Sequence, residues 1–252
     1  MVTALRTTVA ELRQRLSLRD NPYLASLKDG SMNRDDFVET QIQFLFAVVF
    51  FSRPMAVLAG RLPRPEMRVS LLRNVIDEHG AGDLGFSHER TFLRFLARLG
   101  VSGADIEARA LWPEVRAFNT TLAGLCNLDD TMTALAALGI IEDLFSSISA
   151  EIGDAVLARG WMPAGELIHY ATHETLDVMH AEGFYAELDA AYETHPRYRY
   201  QIDQGLELGA YVFLRMYEDL YRSRTRRWTR SVRGPHSLAD GWHLEEAQES
   251  EG

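Results

Sequence analysis

The chain has 252 residues, a hydrophobic share of 46% and a formal charge of −10. That length is enough for one large domain with a continuous core. The acidic balance argues against a nucleic-acid partner, which needs a basic face. The single cysteine, Cys126, leaves no disulfide framework and no thiolate metal site, which suits a reducing cytoplasm.

Helical periodicity dominates. Leu5, Val9, Leu12 and Leu16 repeat at the helical spacing within an amphipathic N-terminal segment that lacks the apolar core of a signal peptide. Asn33 precedes Arg-Asp-Asp, an N-cap followed by acid in the first turn, and opens a long apolar helix over about 34–60 with a kink expected near Pro54. Its longest apolar run, FLFAVVFF at 44–51, is short for a bilayer and is followed by Arg53 and Pro54, so no membrane span is expected. Pro65 opens a helix to about His79. Gly80, Gly82 and Gly85 break that pattern, and helix resumes near Ser87 and stops near Gly100. Asp129 and Asp130 open a helix to about Leu157. Pro163 lies near the start of another that runs to about Tyr192, and Pro196 precedes a last helix ending near Arg224. No stretch sustains strand-like alternation, so the expected class is all-α over residues 1–224. Beyond 224, an arginine-rich segment (six arginines in 222–234) and an acidic end predict a solvated, poorly ordered polar tail over 225–252.

Chemistry concentrates in three places. HETLDVMH at 173–180 puts His173, Asp177 and His180 at i, i+4 and i+7, within an arc of about 60° on a helix. Imidazole and carboxylate are ligands of borderline and hard divalent metals. His169, one turn earlier, is a candidate to steady a ligand by hydrogen bond. Glu142 sits among apolar neighbours, where an ionised carboxylate needs a metal or a buried cation. Adjacent Asp143 then points about 100° away, toward a rim. Glu78 and His88 flank the glycines, which permit a reversal that brings both to one point; His79 and Glu89 compete for those roles. The set Glu78, His88, Glu142, His173, Asp177 and His180 supplies three carboxylates and three imidazoles, enough to hold two metals and leave positions open. Three carboxylates leave one net positive charge on a di-Fe(II) site. Phe44, Phe46, Phe50 and Phe51 could wall a pocket, and Arg53 could hold a substrate carboxylate.

The order Glu, His, an isolated Glu in an apolar helix, then HxxxDxxH resembles the heme-oxygenase-like diiron oxidases and oxygenases, relatives in fold of TenA thiaminases and pyrroloquinoline quinone synthase. DNPYLASLKDGSMNRDDF resembles the opening of that family, and the likeness covers about 1–220. It implies a seven- to eight-helix bundle with two Fe(II) ions held by those six residues, or a manganese–iron pair, and O2 as co-substrate. Family activities include N-oxygenation and oxidative C–C cleavage of small metabolites. Such bundles often pair as homodimers, and an external electron donor is a further expected partner. Two departures stand out: no carboxylate occurs over 41–54, where some members place a further ligand, and the sole lysine, Lys28, lies far in sequence from every ligand. Two other readings remain open: a metal-free TenA-like hydrolase with Cys126 as nucleophile, and a non-catalytic helical binding protein.

Overall fold

The structure is a computed structural model that describes residues 3–231. Eight helices of eleven residues or more carry the fold: α1 (Ala4–Leu16), α3 (Arg34–Arg61), α4 (Pro65–Glu78), α5 (His88–Arg98), α7 (Pro113–Leu128), α8 (Thr131–Ala158), α9 (Ile168–Thr194) and α10 (Pro196–Ser223). Two short ones, α2 (Pro22–Asp29) and α6 (Gly103–Ala108), complete the set among the described residues. There is no strand among them, only a single antiparallel bridge between Arg109 and Thr229. The all-α expectation and the helix limits read from the sequence agree with this. Helices α2, α6 and α7 were not anticipated; α7 and α2 begin at prolines, which suit the first turn of a helix because no N–H is needed there.

Local chemistry sets the ends. The Asn33 side chain accepts from the Asp36 amide at the start of α3, and Asp130 accepts from Met132 and Thr133 at the start of α8. α3 passes through Pro54 as one helix. It and α8 are long and apolar enough to cross a bilayer, but most of each is buried inside the fold, as core helices are. α8 is the hub, with its most extensive packing against α9 and α10. On α10, a Cβ at Gly205 would lie 2.2 Å from the Thr133 carbonyl oxygen and one at Gly209 would lie 2.5 Å from that of Ala137. Only glycine lets these two backbones come so close.

Over 225–231 the arginine-rich segment is mostly exposed, and it crosses back over α6 and the start of α7. The Arg230 amide donates to the Ala108 carbonyl, and the Ala110 amide to that of Trp228. Arg226 pairs with Glu114 at 2.9 Å and stacks over Trp112 and Trp228, while Arg227 pairs with Asp36 at 2.8 Å. Acidic partners distant in sequence hold what composition alone reads as a solvated run. Residues 232–252 of the expected tail lie outside the described residues.

Candidate metal centre

Glu78 is the last residue of α4, and His88 the first of α5. Between them the chain reverses through Gly80 (φ +79), Ala81 (φ +52) and Gly82 (φ +104). At Gly80 a Cβ would fall 2.1 Å from the Asp83 carbonyl oxygen, so that turn requires glycine. Ser87 then caps α5 by accepting from the Arg90 amide. The reversal leaves Glu78 Oε1 2.8 Å from His88 Nδ1, both side chains buried. His79 instead faces solvent, with Nδ1 2.7 Å from the Val75 carbonyl oxygen, and Glu89 is not among the residues that line the adjoining cavity.

From there contacts run through all six candidate ligands. The rings of His88 and His173 are 4.2 Å apart between centroids. His173 Nδ1 lies 2.8 and 2.9 Å from the two Asp177 oxygens. His180 Nδ1 lies 3.9 Å from Asp177 Oδ1 and 3.7 Å from Glu142 Oε2. Ligand atoms of Glu142, Asp177 and His180 fall within 4.8 Å of one another, close enough to share one ion. Four helices, α4, α5, α8 and α9, thus join Glu78, His88, Glu142, His173, Asp177 and His180 in one run of interior contacts. Asp143 turns away from the centre as expected, to Arg13 at 2.5 Å and the Tyr185 hydroxyl at 3.2 Å.

Three polar groups that the sequence did not single out steady this set. Asn74 Nδ2 donates to Glu142 Oε1 at 3.0 Å. Asp77 Oδ2 lies 3.1 Å from His180 Nε2. Thr91 donates to the His88 carbonyl and bonds His169 Nδ1, both at 3.0 Å. Among the described residues His169 bonds Thr91 and no candidate ligand directly, contrary to its expected role. On α4, Asn74 sits one helical turn before Glu78 and Asp77 immediately precedes it, but ordinary helix-surface residues have the same spacing, and only the fold reveals their partners.

Electrostatics favour cations here. Burial, and then the charges of Glu142 and Glu78, hold the Asp177 carboxyl well above the usual carboxylate range. Burial opposes protonation of His180, yet Glu142, Asp77 and Glu78 together push it up to about 9. His88 behaves likewise: burial opposes its charge, but Glu78 outweighs that and raises it. Burial pushes His173 well below its ordinary value, helped by the neighbouring imidazoles. Without metal, shared protons offset the crowded carboxylates. His173 Nε2 and His180 Nδ1 are buried nitrogens with no hydrogen-bond partner among the described residues. Orphaned nitrogens beside clustered carboxylates are the donor set a hard or borderline divalent ion takes, so the residues fit iron.

A cavity of about 40 Å³ opens beside Glu78, His88, Glu142 and His173, walled by Phe44, Phe51, Phe118, Phe145 and Phe213 among others. Phe44 and Phe51 take the pocket role, whereas Phe46 is core and Phe50 packs against the core. Among the described residues no arginine or lysine lines this cavity, and Arg53 is not part of its wall. Cys126 is fully buried, absent from the wall, and burial pushes its thiol up to about 12.

Structural neighbours share the fold at low identity. A domain of unknown function with a heme oxygenase-like fold from Shewanella denitrificans superposes with a TM-score of 0.72 at 14% identity, over 88% of this chain and 92% of that one. A TenA homologue from Pseudomonas syringae gives 0.71 at 15%, covering 88% and 94%. A CADD-like protein of unknown function from Nostoc punctiforme gives 0.69 at 17%, covering 88% and 97%. No curated protein matches the sequence significantly. The iron-containing redox enzyme family matches residues 38–212, a span that includes all six candidate ligands. By that match across more than half its length, and with a heme oxygenase-like fold, the chain belongs to the family of iron-containing redox enzymes.

Proposed function

We propose that this protein is a non-heme diiron oxidase or oxygenase that uses O2 to oxidise a small amine- or amino-acid-type metabolite, by N-oxygenation or oxidative C–C cleavage. The observation that supports it is the continuous set of buried carboxylates and imidazoles from four helices, with two orphaned nitrogens, beside an apolar cavity.

Glu78, His88, Glu142, His173, Asp177 and His180 would hold two iron ions. Bound Fe(II) supplies the electrons that activate dioxygen. The protein's part is positional. Asp77 keeps the His180 ring oriented and its Nε2 proton engaged, leaving Nδ1 for the centre. Asn74 fixes one Glu142 oxygen. The phenylalanine wall excludes bulk water and receives the apolar part of the substrate. With no cation in that wall, a substrate carboxylate would have to lie elsewhere.

A thiol nucleophile finds no support here. The Cys126 thiol stays protonated at neutral pH and lies away from the cavity. The test is dioxygen uptake by the Fe(II)-loaded protein. Wild type and Cys126→Ala should consume O2 at equal rates, and the His173→Ala/His180→Ala double variant should consume none above free iron. Equal uptake by that double variant would refute the reading.

A further inference from the structure

His169 is fully buried on α9 and lines the cavity, yet it is not needed to complete the six-residue set. The Thr91 hydroxyl carries one hydrogen and lies 3.0 Å from both the His88 carbonyl oxygen and His169 Nδ1. With that hydrogen on the carbonyl, which can only accept, the hydroxyl accepts from Nδ1. In that tautomer Nδ1 bears the imidazole proton and Nε2 presents a bare lone pair. Nε2 is buried and has no hydrogen-bond partner among the described residues. The ring cannot easily turn away. Phe92 meets it edge-on at 4.7 Å, and the His173 ring lies 4.3 Å off.

The rest of the wall sharpens the assignment. Its other titratable side chains are Glu78, Glu142, His88 and His173, all members of the ligand set. Once these are committed to metal, His169 Nε2 is the polar acceptor left among the described residues of the wall. An unpaired acceptor in a dry wall is costly and calls for a donor. With both carboxylates engaged and two divalent ions adjacent, an ammonium group would be repelled and have no counter-charge. The cavity has room for a group of about three water-sized units.

We propose that His169 is a substrate-binding residue whose Nε2 accepts a hydrogen bond from a neutral N–H or O–H group on an otherwise apolar substrate. This deepens the proposed function and rests on it for the role of the neighbouring ligands. It narrows the substrate to a molecule that enters uncharged at the reacting end, such as a neutral amine or a hydroxyl compound.

The experiment is nitrogen-15 NMR of the full chain, metal-free and loaded with diamagnetic Zn(II), with ethanol and acetonitrile as probes of three heavy atoms each. Only ethanol can donate. His169 Nε2 should resonate as an unprotonated nitrogen. Ethanol should shift it and bind about two- to tenfold more tightly than acetonitrile, the margin of one buried hydrogen bond. In His169→Phe the methyl group of Ala47, which also lines the cavity, should respond to both probes equally while metal stoichiometry stays unchanged, and His169→Gln should recover part of the ethanol preference. A proton on Nε2, or equal response to both probes in wild type, would overturn the inference, and these readings need no variant to fold. A lost metal equivalent in His169→Phe would also overturn it, by making His169 a ligand. Failure of the wild type to bind metal would instead refute the proposed function, and the probe preference can still be read on the metal-free chain.

Discussion

Asp77 Oδ2 lies 3.1 Å from His180 Nε2, and that contact decides which nitrogen of His180 faces the centre. With Nε2 engaged, Nδ1 is left toward Glu142 and Asp177. Carboxylates that orient a ligating imidazole in this way typically contribute 10- to 100-fold to metal affinity. Asp77→Asn should therefore weaken metal binding by roughly that factor and leave the helical content intact. Competition with a chelator of known affinity measures the change, and an unaltered affinity would mean that Asp77 is only a surface acid.

Metal loading should depend steeply on pH. His180, raised to about 9, and Asp177, held above the carboxylate range, must both shed protons to serve as ligands. Affinity should rise between about pH 6 and 9, with protons released on binding. Calorimetry in buffers of different ionisation enthalpy counts them, and no release would contradict the assignment.

The same shifts predict an inverse trend in the stability of the metal-free chain. His180 titrates higher folded than unfolded, so its contribution is complete below its ordinary value of 6.5 and is lost as pH rises through about 9. The upward shift of Asp177 acts in the same direction, since the folded chain again holds the extra proton. The loss from His180 is roughly 3 kcal/mol at most. Thermal denaturation of chelated protein should show Tm falling from pH 6.5 to 9, and the zinc-loaded protein should not follow that trend.

Gly80 and Gly82 should respond differently to substitution. Both adopt positive φ, but only at Gly80 would a Cβ strike backbone, 2.1 Å from the Asp83 carbonyl oxygen. Gly82→Ala should cost about 1 kcal/mol, the strain of the left-handed conformation. Gly80→Ala should cost several times more, and it should also weaken metal binding, because it separates Glu78 from His88. Denaturant melts paired with metal titrations separate the two effects.

Removing residues from 224 onward should destabilise the fold without changing metal stoichiometry. The strap over α6 joins Arg226 to Glu114 and Arg227 to Asp36, far from the centre. Burial opposes ionisation of Glu114, but the Arg226 pairing outweighs it and lowers its titration. That contribution is present above the ordinary carboxylate value and fades as pH falls through the lowered one. A truncated chain should therefore melt several degrees lower near neutrality, with the gap narrowing in acid.

How much of this the sequence disclosed follows from the range of each interaction. His173, Asp177 and His180 were legible because one helix aligns them, and Glu142 because a carboxylate among apolar residues needs an explanation. Glu78 with His88 was suggested through the glycines alone. Asn74, Asp77 and Thr91 were not, since a polar residue on a helix has the same local signature whether its partner is water or a side chain. His180 lies 103 positions from Asp77. The partners of the strap were not legible for the same reason: Glu114 and Asp36 balance Arg226 and Arg227 only once α3 and α7 have packed.

The most direct test of the diiron reading is anaerobic titration of the purified chain with Fe(II). Saturation near two equivalents is expected, falling to one or fewer when His173 and His180 are both replaced by alanine. A wild-type chain that binds no iron, or binds it equally well without those two histidines, would contradict it.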